Sequence, residues 1–271
     1  MGEEQSTGPY SLGDRVALVT GGGTGIGRAT ALALADAGAS VAICGRRREP
    51  LESAAGELHE RGCAVHARPT DVTDDAERRA LIEAVENELG EIDILVSNAG
   101  HSTEIASWLE WSLDDWQAEL DVSALAAFTL AQLVAPGMCR RRHGRLIFVA
   151  SVYGSLGTDP YLYAGDHAPE GISSVPYHAG KGAIITQARA LACVLGRYDV
   201  TVNSISPGMI ETEGVSFFLP DNVRKVLVER TPARRLGTVD NVAAAIVFLA
   251  SDAASFVTGH DLVVDGGWSA W

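Results

Sequence analysis

Arg15-Val16-Ala17-Leu18-Val19-Thr20 is a short apolar run that halts at Gly21-Gly22-Gly23-Thr24-Gly25-Ile26-Gly27, and an alanine-rich stretch to Gly38 follows it. The run predicts a buried strand and residues 25–38 predict a helix, with the glycines as the joint. Glycine opens backbone geometry closed to other residues. It also lets an anion approach the helix N-terminus, whose free N–H groups and dipole favour negative charge. The spacing is G-x-x-x-G-x-G rather than G-x-G-x-x-G, but strand, glycines and helix form the context in which a pyrophosphate is cradled. A bare strand-to-helix turn is the plainer alternative.

Working outward, the alternation repeats. Strands are expected at 40–45, 63–68, 92–96, 145–150, 199–204 and 261–264, and helices at about 48–61, 74–89, 112–141, 176–196 and 238–250. Seven apolar strands alternating with helices imply right-handed βαβ units and a parallel sheet covered on both faces. Ser112-Leu113-Asp114-Asp115 reads as a helix start with Ser112 as N-cap. No linker rich in Pro, Gly and Ser divides the chain, so residues 14–271 are expected to form one domain behind a loose polar tail, 1–13. Two segments break the rhythm. Residues 155–176 are rich in Gly, Pro and Ser, and residues 209–236 carry Val215, Phe217, Phe218 and Leu219. Both follow the carboxyl ends of strands, where open α/β sheets bind ligands.

A hydrophobic content of 46% in 271 residues is enough for a sizeable core. The net charge of −14 argues against nucleic acid or an anionic membrane as the main partner. No apolar run is expected to reach the length of a membrane span. The opening MGEEQS matches a loose myristoylation pattern (Gly2, Ser6), but with nothing basic to support it we read it as a polar tail. Cys44, Cys63, Cys139 and Cys193 show neither metal nor redox spacing. Together with unclustered histidines they predict buried thiols, a reducing cytoplasm and no metal site.

Tyr177-His178-Ala179-Gly180-Lys181 falls on a predicted helix, where residues four apart point the same way. A phenol with a pKa of about 10 is a poor general base, and an ammonium beside it favours the phenolate. Tyr161 and Tyr163 are competitors, but four residues beyond them stand Gly165 and His167. A solvated helix face is the plainer reading of the pair alone.

Taken in order, these motifs resemble the short-chain dehydrogenases/reductases. The glycine loop fits that family's T-G-x-x-x-G-x-G. The likeness continues through Asp71-Val72, Asn98-Ala99-Gly100, Ser151, Tyr177 with Lys181, and Asn203 through Pro207-Gly208 to Thr212. It ends at Asp265-Gly266-Gly267. The resemblance implies a single Rossmann-type doubly wound α/β domain, with a seven-stranded, mostly parallel sheet flanked by helices. It further implies a cytoplasmic homo-oligomer, dimer or tetramer, moving a hydride between a nicotinamide cofactor and an alcohol or carbonyl. By that resemblance Thr20, Gly21, Gly23, Thr24, Gly25, Ile26 and Gly27 hold the cofactor. Asp71 and Val72 lie against the adenine, and Asn98, Ala99 and Gly100 lie beside the adenosine ribose. Pro207, Gly208, Ile210 and Thr212 meet the carboxamide and diphosphate. Ser151 bonds the substrate oxygen, Tyr177 is the general acid/base, and Lys181 tunes it and holds the nicotinamide ribose.

The end of the second strand faces the adenine ribose in such folds, where an acid selects NAD and an arginine accommodates the NADP phosphate. Here Gly45 stands where the NAD type carries Asp, and Arg46 follows. NADP(H) is favoured, with NAD(H) as the alternative; Arg46–Arg48 as a solvated turn is the plain reading. Two departures from the family stand out. Ser151 and Tyr177 are separated by an inserted loop, which makes Ser155 a fallback, and Ser123 occupies the place of a relay asparagine. A serine hydroxyl there is expected to hold the relay water with shorter reach. A dinucleotide-binding sensor or scaffold is the competing function.

Overall fold

The computed structural model describes residues 8–100, 108–159, 162, 174–212 and 220–271. The apolar runs form strands β1 (Val16–Thr20), β2 (Ser40–Gly45), β3 (Val65–Pro69), β4 (Ile94–Ser97), β5 (Gly144–Val149) and β6 (Val200–Pro207). Two short strands, β7 (Ile210–Glu211) and β8 (Gly237–Thr238), precede β9 (Asp261–Val264). The helices are α1 (Gly25–Asp36), α2 (Arg48–Glu60), α3 (Asp75–Glu88), α4 (Leu113–Leu120), α5 (Ala126–Arg141), α6 (Val175–Leu195), α7 (Asp221–Arg230) and α8 (Val239–Ala250).

The main sheet runs β3-β2-β1-β4-β5-β6-β9, with every neighbouring pair parallel. Successive side chains of a strand face opposite sides, and here both sides are covered. Leu18 and Phe148 join one core with Leu130 and Ile184, while Val19 and Ile147 join the other with Leu34 and Ile246. Burial on both faces explains why these strands read as unbroken apolar runs. The strand order reverses between β1 and β4, opening the crevice at their carboxyl ends where doubly wound folds take ligands.

Several expectations need correction. Residues 8–13 are not loose: Leu12 is buried, its N–H donates to the Ala37 carbonyl at 2.8 Å, and Ala253 N–H donates to the Pro9 carbonyl. The helical stretch Leu113–Arg141 is, by length and composition, long and apolar enough to cross a membrane. Half of its apolar window is buried, with Ala127, Leu130, Val134 and Met138 packed on the sheet, so it serves as a core helix here. Cys44 is buried, and burial pushes its thiol up to about 12. Cys193 is exposed instead, because it falls off the α6 stripe Ile184, Ile185, Ala188, Ala192 and Leu195. The segment after β6 holds β7, α7 and β8 rather than irregular chain, with Val223 and Leu227 packed on Leu162 and Leu236. Tyr161, Tyr163, Gly165, His167, Val215, Phe217, Phe218 and Leu219 lie outside the described residues, as do residues 1–7 and most of the inserted loop.

The expected start at Ser112 is a full capping box: Asp115 N–H donates to Ser112 Oγ at 3.1 Å, and Ser112 N–H donates to Asp115 Oδ2 at 2.9 Å. Beyond α4, residues Asp121–Leu125 form a π turn that runs into α5. The extra residue per turn re-aims the side chains at this point, a device common at functional sites. Ser112→Ala is expected to lower stability by about 1 kcal/mol in urea unfolding, with Ser112→Thr close to wild type.

Candidate active site

The crevice is stitched across the sheet by Thr20. Its buried Oγ1 accepts from the N–H of Asn98 at 2.9 Å and of Ala99 at 2.8 Å, tying the end of β1 to the end of β4. Asn98 Nδ2 returns a bond to the Thr20 carbonyl at 2.9 Å. Gly21 turns the chain at φ +66, with the Asn98 amide so near that a Cβ would lie 2.8 Å from its Nδ2. A Cβ on Gly27 would collide with the Gly21 carbonyl, so the first turn of α1 lies directly against the loop. Thr24 precedes α1 in extended conformation and makes no side-chain cap bond, and no acidic residue occupies the first turn. The N–H groups of Gly25, Ile26 and Gly27 therefore open into the crevice without a built-in counter-anion. Thr212 closes the loop from the far side: a Cβ on Gly25 would meet its Cγ2 at 3.7 Å.

At the neighbouring strand ends, a Cβ on Gly45 would have only ordinary contacts at 3.9 Å, leaving space beside the loop. Arg46 is exposed and makes no ion pair among the described residues. Asp71 accepts from Thr73 N–H at 2.9 Å and Thr73 Oγ1–H at 2.7 Å, and these bonds hold its carboxyl below the usual range. The cap of α3 is Asp74, which accepts from Glu77 N–H at 2.8 Å, so Asp71 is not the cap of that helix. Arg78, buried on α3, donates to the Val72 carbonyl at 2.7 Å and fixes that loop. Nothing in the sequence flagged Arg78, since a helix arginine ordinarily faces water.

Ser151 ends β5 as the cap of a short turn, Val152–Gly154, its Oγ accepting from Tyr153 N–H at 3.2 Å. Gly154 seats that turn on α6, where a Cβ would lie 2.8 Å from the Lys181 carbonyl. Lys181 is buried; its Nζ donates to the Val149 carbonyl at 3.0 Å and stands 5.5 Å from the Tyr177 ring centroid. Burial pulls its pKa down to about 8, against an opposing pull from Glu119. Gly100, at the end of β4, lies 3.8 Å from Lys181 Nζ by its Cβ position. Tyr177 is half-buried. His178 braces the start of the inserted loop: its Nδ1–H donates to the Ser174 carbonyl at 2.7 Å, so the neutral ring's Nε2 accepts from Thr158 Oγ1 at 2.8 Å.

Ser123 sits in the π turn, and its hydroxyl donates to Glu119 Oε1 at 2.5 Å. The expected relay water would have only its lone pairs, because the proton is committed to Glu119. Glu119 is fully buried and was missed in the sequence, because no other residue of α4 is buried to mark that face. Asn203 is also buried, with Nδ2 on the Val257 carbonyl and Oδ1 accepting from His260 N–H, so it braces β6 to β9. Pro207-Gly208 is pinned against Asp265, and Ile210 is buried. Trp268 and Trp271 fold onto α7 of their own chain: Arg230 lies over the Trp268 ring at 5.2 Å, and Trp271 Nε1–H donates to the Arg230 carbonyl.

Strand order and glycine loop together define a doubly wound dinucleotide-binding fold, with a tyrosine-lysine pair at the adjoining strand end. The chain belongs to the short-chain dehydrogenase/reductase family: residues 21–269 match the family model described as Enoyl-(Acyl carrier protein) reductase. It is 34% identical over 259 residues to 5-keto-D-gluconate 5-reductase of Escherichia coli K12, covering 95% of this chain and 96% of that protein. It is 34% identical to a 3-oxoacyl-(acyl-carrier-protein) reductase of Thermotoga maritima, covering 94% and 98%. A gluconate 5-dehydrogenase from Burkholderia cenocepacia, crystallised with NADP and tartrate, superposes with a TM-score of 0.86 at 36% identity, covering 97% and 98%. The chain is accordingly an oxidoreductase of a family acting on CH–OH and C=O groups.

Thr20→Val removes the shared acceptor and orphans two N–H groups at the crevice. It is expected to cost about 2 kcal/mol in chemical denaturation, while Thr20→Ser retains most of the stability.

Proposed function

We propose that this chain interconverts an alcohol with a ketone or aldehyde using NADP(H), with Tyr177 as general acid/base. The observation that carries this reading is the gathering of Ser151, Tyr177 and Lys181 around the carboxyl end of β5, next to the glycine loop. The residues fit a dinucleotide. The loop offers uncapped N–H groups to a pyrophosphate, with Gly21, Gly23, Thr24, Gly25, Ile26 and Gly27 around it and Thr212 opposite. Asp71, Val72 and Asn98 to Gly100 frame the adenosine side, and Pro207, Gly208 and Ile210 the nicotinamide side. Open space at Gly45 and the exposed Arg46 favour the phosphorylated form, in keeping with the NADP in the Burkholderia structure.

When bound, the cofactor supplies or accepts the hydride. The chain's own residues do the rest. Ser151 Oγ hydrogen-bonds the substrate oxygen and fixes it within reach of Tyr177. In reduction, the Tyr177 hydroxyl gives its proton to that oxygen as negative charge develops there. In oxidation, the phenolate takes the proton back, and the Lys181 ammonium stabilises the phenolate. The stretches that follow β5 and β6 in the chain leave the carboxyl ends of strands, and they would shape the substrate pocket. The relatives' names set the panel to test: a keto-sugar acid and a 3-oxoacyl thioester, alongside simple ketones. One domain holding both sites, a cytoplasmic location consistent with four free cysteines, and a homo-oligomer complete the reading. Exposed Leu125, Phe128 and Val194 offer apolar surface for the last.

Tyr177→Phe should lower kcat by about 10²–10⁴-fold with the NADPH dissociation constant unchanged. Arg46→Glu should raise KM for NADPH by about tenfold or more and leave NADH nearly unaffected; equal effects on both would remove the NADP assignment. Reduction needs both the Tyr177 proton and the Lys181 cation, and both are lost as pH rises. The activity is therefore expected to fall off on the alkaline side of about pH 8, read from the pH profile of kcat/KM.

A further inference from the structure

Glu119 is a fully buried carboxylic acid that the chemistry above does not use. Carboxylates are almost never so placed without a partner, because desolvation penalises the charge. Three neighbours are arranged for it. Ser123 donates its hydroxyl to Oε1 at 2.5 Å, from the π turn that re-aims this residue. On α6, Gly180 leaves the space that Glu119 fills: a Cβ there would sit 3.0 Å from Oε1, 3.3 Å from Cγ and 3.2 Å from Ser123 Cβ. The next residue is Lys181, the buried ammonium of the catalytic pair. A methyl group at position 180 would press on this carboxylate and make it give by a few tenths of an ångström.

We infer that Glu119 is a positioning residue for the Tyr177–Lys181 pair, its buried carboxylate keeping the Lys181 ammonium charged where water is excluded. The inference rests on the proposed role of that pair. Burial alone drives the lysine towards its neutral form, and the nearby negative charge opposes this. Among the described residues, Glu119 is the acid whose charge acts on Lys181. Tyr177 and His178 on α6 and Tyr153 in the turn after β5 bring no fixed negative charge. At the surface, Asp121 of the π turn accepts from Gln117 Nε2 at 2.6 Å. The β5 strand offers the Val149 carbonyl, and its one charged residue, Arg145, pairs with Asp252 towards the opposite end. From β6 come only uncharged groups. Ser123 then serves the pair indirectly, by anchoring Glu119.

The decisive variant is Glu119→Gln, which keeps shape and hydrogen bonding but removes the charge. Lys181 then loses its proton at lower pH, and a neutral lysine no longer favours the phenolate, so Tyr177 ionises at higher pH. The two titrations should part. The alkaline limb of carbonyl reduction should move down by about one pH unit, with a loss of about tenfold in kcat near pH 8. Tyrosinate absorbance, taken as the difference from the matching Tyr177→Phe protein, should appear about one unit higher. NADPH affinity should not change, and Glu119→Asp should restore much of the wild-type profile. A folded Glu119→Gln protein whose limb and tyrosinate titration match wild type overturns the inference. If that variant does not fold, Glu119→Leu with Ser123→Ala removes both polar partners at once and gives the same reading, moved or unmoved. The tyrosinate titration needs no substrate. A wild-type protein inert towards every carbonyl therefore defeats the proposed function, while the titration still decides the role of Glu119.

Discussion

The surroundings of α6 answer to one electrostatic constraint, an ammonium buried in the protein with almost no access to water. Lys181 is 5% exposed and donates to the Val149 carbonyl. Left to desolvation, such a group discards its proton and its use with it. The fold meets this by converging three elements on it. The carboxyl end of β5 supplies a carbonyl, the turn seated by Gly154 closes the side, and α4 drives a carboxylate in past Gly180. A capped α4 and the π turn after it are the mechanical means, since they fix which way Glu119 and Ser123 point.

The second constraint is topological. A parallel sheet that reverses its order opens a crevice beyond the carboxyl ends of β1 and β4, and the Thr20 hydroxyl ties those two ends together with two backbone bonds. The same brace holds the loop end of β1 in register with Gly100, which in turn lies beside Lys181. The glycine-loop crevice and the Tyr177–Lys181 pair proposed for proton transfer, on different βα units, are thereby tied to one frame. Thr20 thus acts at the site through the frame, its hydroxyl turned to Asn98 and Ala99.

The fold was legible because its signals are local. Period, apolar runs and strand-end glycines predicted every strand of the main sheet to within three residues, since buried parallel strands cannot disguise themselves. The glycine loop and the Tyr177–Lys181 spacing were equally plain. Other features depended on contacts that no local pattern records. Leu12 docks against Ala37 from a stretch that reads as a polar tail, and α7 hides in a segment whose mean polarity looks like loop. Glu119 belongs to the same class. On a helix with exposed Asp114, Asp115 and Glu110 nearby, its own burial is set wholly by α6, and only the glycine at 180 betrays it.

The central claim is hydride transfer to a carbonyl under proton control by Tyr177, and isotope tracing tests it most directly. NADPH carrying deuterium at the transferable C4 position would be supplied with the keto acids and ketones of the panel in ordinary water. The account predicts one deuterium on the carbinol carbon of the product and a solvent hydrogen on its oxygen, with the label lost in step from the cofactor. Product lacking deuterium at that carbon, or labelled cofactor left untouched by every carbonyl, would contradict it.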